Sequence, residues 1–100
     1  MEDRSAHTRQ GNVSVAITIG GLQYRGNEWS FGGFLLDADP ADLPLGTLVC
    51  IDSVRSHKKK PKPVEIRARV VRASGDRAHV ALSSLHLNDD AFRVLDELRR

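Results

Sequence analysis

Short runs in which apolar and polar residues alternate with a period of two recur along this chain, each cut off within a few residues by glycine, proline or aspartate. That period puts successive side chains on opposite faces of a strand, so each run buries one face and leaves the other wet. The clearest is Val64-Glu65-Ile66-Arg67-Ala68-Arg69-Val70, in which Glu65, Arg67 and Arg69 face water. Val13-Ser14-Val15-Ala16-Ile17-Thr18-Ile19 is the first, with four β-branched apolar residues on one face. Gly20-Gly21 then suits a tight hairpin turn of the positive-φ kind, and Leu22 to Ser30 is its return strand. Within that strand Leu22 and Tyr24 share one phase and Trp29 holds the other, which a bulge near Gly26-Asn27 reconciles.

Beyond Gly32-Gly33, Phe34-Leu35-Leu36 reads as a short third strand. The turn-rich stretch Asp37 to Gly46, with two prolines, wraps over the surface to a fourth strand at Thr47 to Val54. The alternating run from Val64 is the fifth strand. Ala73-Ser74-Gly75-Asp76 turns the chain into a sixth, on which Ala78, Val80 and Leu82 point inward. The period then changes: Asn88 is placed to cap, Asp89 and Asp90 fall in a first turn, and Phe92, Leu95 and Leu98 form a stripe with Val94 beside it. The pattern predicts an all-β fold, a small closed or nearly closed six-stranded antiparallel barrel, with a C-terminal helix from about residue 88. Residues 1–12 are polar and aperiodic and read as a flexible arm; 13–100 form one barrel domain, a size that buries roughly 65% of the unfolded chain's surface.

Cys50 sits in the apolar run Leu48-Val49-Cys50-Ile51, which predicts a buried small hydrophobe rather than a nucleophile. No apolar run is long enough to span a bilayer and no export signal is present, so a cytoplasmic location is expected, without membrane insertion. Residues 55–62 hold five positive charges and no negative ones, leaving ten positive and thirteen negative elsewhere. The excess positive charge is thus one loop, not a basic face interleaved with aromatics, and neither DNA binding nor a stacking platform for single strands is expected. His7, His57, His79 and His86 share no ligand spacing, so no metal is expected. Ser30 has Glu28 nearby but no histidine base and no Gly-x-Ser-x-Gly elbow. A binding module rather than an enzyme follows.

The stretch Glu28-Trp29-Ser30-Phe31-Gly32-Gly33 is the candidate site: glycines there serve either a plain turn or the wall of a ligand site. An arm with Arg4 and Arg9, a strand ending in acid-x-Ser-x-x-Gly, Leu43-Pro-Leu-Gly46 before strand four, six strands and a terminal helix together resemble the PilZ domain over nearly the whole chain. The resemblance implies a bacterial receptor for cyclic diguanylate (cyclic di-GMP), with Arg4, Arg9, Glu28, Ser30 and Gly33 as ligand-binding residues, relaying the signal to a partner protein or fused domain. The family's arm motif spaces its arginines by three residues; here Ser5-Ala6-His7-Thr8 makes four, and Glu28 stands where Asp or Asn is usual. The chemistry is consistent: arginine forks suit guanine O6 and N7 or phosphate, and a carboxylate suits the N1 and N2 donor edge. The alternative is a degenerate barrel of this type that serves as a protein-interaction adaptor without nucleotide, using a barrel edge, the helix or the basic loop.

Overall fold

The computed structural model describes residues 14–56, 59–74 and 78–99. The arm with Arg4 and Arg9, together with His7, Val13 and His57, lies outside the described residues. The elements are β1 (Val15–Ile19), β2 (Leu22–Ser30), β3 (Gly33–Asp37), β4 (Leu48–Ser56), β5 (Lys62–Ser74), β6 (His79–Leu87) and α1 (Asp89–Leu98). The strands form a closed antiparallel barrel in the order β1-β2-β3-β6-β5-β4. Hairpins join β1 to β2, β2 to β3, β4 to β5 and β5 to β6; the pairings β1 with β4 and β3 with β6 close the cylinder. Closure leaves no free sheet edge among these strands, which removes edge pairing as a way of binding a partner.

Alternation decides which side chains fill the barrel. Val15, Ile17, Trp29, Phe34, Leu36, Ile51, Val54, Ile66, Ala68, Val70, Val80 and Leu82 point inward and are buried. At β2 the register shifts between Gly26 and Glu28, the bulge expected from the phase conflict there, and it carries the strand from an inward Gly26 to an inward Trp29. Three further bulges, one between Ile51 and Ser53, one between Val70 and Arg72 and one at Leu85 opposite Arg67 and Ala68, bend β4, β5 and β6 around the core. The second lets β5 run on to Ser74, four residues past the end of its alternating stretch.

Three expectations are corrected. Cys50 is exposed, because β4 obeys the same alternation as its neighbours: Ile51 takes the inward position and Cys50 the outward one. The apolar run is therefore buried on one face only. Ala78 is not an inward strand residue but an exposed one with φ +52, and its carbonyl accepts from the Ala38 amide at 2.9 Å. Phe92 is 49% exposed, and the buried face of α1 is Ala91, Val94 and Leu95.

The antiparallel order brings the ends of β2, β4 and β6 to one mouth of the barrel, and α1 packs there, chiefly on β5. Asn88 sets its approach. Its Oδ1 accepts from the Ala91 amide at 2.9 Å, capping the helix, and from the Glu65 amide at 3.2 Å, while its own amide donates to the Glu65 carbonyl at 3.1 Å. One side chain thus fixes both where the helix starts and how it sits on β5. Ala38 and Leu43, from the segment between β3 and β4, join the same hydrophobic cluster. No helix among the described residues is long and apolar enough to cross a membrane.

Ile66 is fully buried and Val71 is half-exposed on the same strand. Ile66→Ala is expected to cost about 2–5 kcal/mol by urea denaturation, and Val71→Ala less than about 1 kcal/mol. Equal losses contradict the inward and outward assignment of β5.

Candidate functional site

Register turns the outside of the barrel into a readable array. Glu28 pairs with Leu35, Leu35 with Ala81, and Ala81 with Arg72, so one outward row crosses β2, β3, β6 and β5. A carboxylate stands at one end of this row and a guanidinium at the other, with Leu35 and Ala81 as a low apolar floor between them. The adjacent outward row is Ser30, Gly33, Ser83 and Arg69. A groove of about 360 Å³ lies over these rows, lined by Glu28, Ser30, Gly33, Leu35, Arg72 and Ala81 among others. Across three strand spacings its charged ends stand roughly 14 Å apart at the backbone.

Each sequence-predicted residue within the described chain has a definite place. Glu28 is exposed on β2 and makes no ion pair with a described residue. Ser30 ends the strand, and its Oγ accepts from the Gly32 amide at 3.1 Å, which shapes the turn and leaves the hydroxyl proton free to donate outward. Gly33 starts β3 where two backbones nearly touch: a Cβ there would lie 2.3 Å from the Leu82 carbonyl oxygen. The glycine is therefore required by the packing of β3 on β6. At Gly32, by contrast, an added Cβ would meet only the Ser30 hydroxyl, at an ordinary contact distance of 3.7 Å. Arg4 and Arg9 lie outside the described residues.

The turn also reaches inward to the helix. Phe31 packs in a tilted arrangement against Phe92, with ring centroids 5.6 Å apart at 46°, and the Arg99 guanidinium lies 4.8 Å from the Phe31 centroid. The Gly32 carbonyl accepts from the Ser84 amide at 3.0 Å. The segment that walls the groove is thus the one that touches α1.

Arg72 escapes a reading of the sequence by alternation, which ends at Val70. A signal is nevertheless present in Val70-Val71, two adjacent β-branched residues that break the period, as Gly26-Asn27 does on β2; a bulge at that break puts Arg72 in phase with the outward row. Next along the outside, Arg25, Asp37, His79 and Ser74 form the following row. There the Asp37 carboxylate is 3.2 Å from His79 Nε2 and also accepts from the Asn27 amide, so it closes off the groove with a group already committed. Among the described residues no three His, Cys, Asp or Glu side chains cluster as metal ligands would.

Cys50 lies in a separate depression of about 490 Å³ with Leu48, Leu85, Arg67 and His86. Desolvation, and then the nearby Asp52 and Glu65 carboxylates, push its thiol pKa up, so it is held as the unreactive thiol.

Compared with known proteins, the chain matches no protein-family model, and no curated protein matches it.

Two outcomes follow from this geometry. Gly33→Ala is expected to lower the melting temperature sharply, by more than about 5 °C, while Gly32→Ala leaves it nearly unchanged; comparable shifts contradict the close approach of β3 and β6. For Cys50, a raised pKa means less thiolate at mildly alkaline pH, so iodoacetamide is expected to react more slowly than with a free cysteine and to speed up in Asp52→Asn. An unchanged rate in that variant contradicts the electrostatic contribution.

Proposed function

We propose that the groove over β2, β3, β6 and β5 binds cyclic diguanylate, and that the chain is a signal receptor module of the PilZ kind. The observation that carries this reading is the row Glu28-Leu35-Ala81-Arg72, a carboxylate and an arginine fork facing each other across an apolar floor. Glu28 is suited to accept from the N1 and N2 edge of guanine. Arg72 is suited to fork onto O6 and N7 or onto a phosphate, and the Ser30 hydroxyl to donate to a ligand oxygen. Gly33 keeps the floor low enough for a flat base to approach. Arg4 and Arg9, on the arm before β1, supply further forks in this reading, and ordering of the arm on the ligand is the switch.

The longer side chain of Glu28 compared with aspartate, and the extra residue between the arginines, alter the reach of both partners. Arg72 offsets this by bringing a guanidinium to the groove from the barrel itself, independently of the arm. The output to a partner protein runs through Phe31, which joins the turn to α1 through Phe92 and Arg99.

A second reading rests on a different observation. Leu48 on β4 and Leu85 on β6, 63% and 57% exposed, border the depression around Cys50, and an apolar patch of this sort suits a protein partner. In this reading the barrel is an adaptor that binds no nucleotide.

Calorimetric titration with cyclic diguanylate separates the two. Saturable heat is expected, with Glu28→Ala, Arg72→Ala and Arg9→Ala each weakening binding by about tenfold or more and Lys59→Ala by less than about twofold. No heat up to about 100 μM ligand, with the domain folded, removes the receptor reading and leaves the adaptor. Equal losses in all four variants indicate diffuse charge attraction and also contradict it.

A further inference from the structure

A second cleft lies on the other side of β2, over β1 and β4. Its volume is about 650 Å³, larger than the groove at Glu28, and its lining includes Ser14, Ala16, Tyr24, Arg25, Arg55 and Ser56. Register explains the arrangement. Ala16 pairs with Arg25 on one side and with Arg55 on the other, so two arginines flank a single methyl-bearing residue across three strands. Their backbones stand about 10 Å apart, within the reach of two arginine side chains meeting over Ala16. The floor between them is low because Ala16 is small, and Ser14 puts a hydroxyl beside Arg25.

Two features mark this pair as unneutralised. Neither Arg25 nor Arg55 makes an ion pair with a described residue. Arg25 has a carboxylate directly opposite it on β3, Asp37, yet its guanidinium turns the other way: Nε and Nη2 both donate to Ser14 Oγ, at 3.3 Å each. Asp37 is occupied instead by His79 and Asn27. One edge of the Arg25 fork is thus fixed on Ser14, and the other is available in the cleft alongside Arg55. Past Ser56, the Lys59 amide donates to the Ser56 carbonyl at 3.1 Å, and Lys59 and Lys60 line a separate hollow beside α1.

We propose that this cleft is a second binding site, independent of the groove at Glu28, that takes the phosphate group of a small phosphorylated metabolite. Two guanidiniums flanking a low floor, with the Ser14 hydroxyl beside them, match the tetrahedral oxygens of a phosphate better than a planar carboxylate held by one fork. Gln23, exposed on β2 beside the arginines, and the Ala16 methyl give the organic part of the metabolite a surface to lie against.

Nuclear magnetic resonance titration of the full chain, with inorganic pyrophosphate, adenosine monophosphate and adenosine as probes, tests this. Both phosphate probes are expected to give saturable shifts at the amides of Ala16, Arg25 and Arg55, with the monophosphate binding more tightly than pyrophosphate, and adenosine is expected to give none. The reverse order of the two phosphates overturns the assignment to an organic phosphate. Arg25→Ala and Arg55→Ala should each weaken binding by about tenfold, with Arg55→Lys between them and wild type because it keeps the charge and loses the fork. Glu28→Ala should leave this titration unchanged, which separates the cleft from the groove. Shifts that stay linear with concentration, that centre on Lys59 and Lys60, that adenosine reproduces, or that persist in both alanine variants overturn the proposal.

Discussion

The contact between Gly33 and Leu82 is the constraint on which the outer surface depends. β3 and β6 are far apart in the chain and close the barrel by pairing, and at Gly33 the two backbones approach so closely that a Cβ would fall 2.3 Å from the Leu82 oxygen. Any larger residue must push β3 away from β6, and the cost is set by backbone, which cannot rotate aside. The alignment of Leu35 with Ala81, and through them of Glu28 with Arg72, follows from that approach. The turn that precedes it delivers Phe31 to α1, so the same few residues set the barrel's closure, the wall of the groove and the seat of the helix.

Charge is distributed in keeping with this architecture. No charged residue among the described residues is buried, Ser84 Oγ is a buried polar side-chain atom without a partner, and the ion pairs on the surface, Lys62 with Glu97, Arg67 with Glu65, Arg93 with Asp90 and Arg99 with Asp96, are solvated pairs that each contribute about 0–1 kcal/mol. Stability therefore rests on the apolar interior, and the outward charges are free to serve recognition. Arg25, Arg55, Arg72 and Glu28 stand apart from the pairs just named, and each faces one of two large depressions on the barrel. Lys62 differs from the rest of its loop because it is tied to α1 through Glu97 at 3.3 Å.

Much of the fold is legible in the sequence because a strand buried on one face must alternate, and β1, β2 and β5 do. The bulge at Gly26-Asn27 is legible too, since Tyr24 and Trp29 could not otherwise share a barrel. Expectation and structure part where a single physical rule is applied too simply. An apolar run suggests burial throughout, yet alternation applies to Cys50 as it does to its neighbours. Phe92 belongs to the apolar stripe by spacing, but the helix rolls so that Ala91 and Val94 face the core and Phe92 reaches sideways to Phe31. Of the groove, Glu28, Ser30 and Gly33 are visible as a local motif. Arg72 is not, because its place depends on a bulge and on pairing between strands that sequence spacing does not specify, and the Arg25 and Arg55 pair depends on the β1 and β4 pairing that closes the barrel.

If Phe31 couples the groove to the helix, a ligand bound in the groove is felt at α1. Amide hydrogen exchange of the folded chain, with and without saturating cyclic diguanylate, tests this most directly. Slower exchange is predicted at Gly32, Gly33 and Leu35 together with the α1 amides from Phe92 to Arg99, and the helix response should vanish in Phe31→Ala while the groove response remains. Unchanged exchange at both places, or protection of the groove with an α1 response that survives in Phe31→Ala, contradicts it.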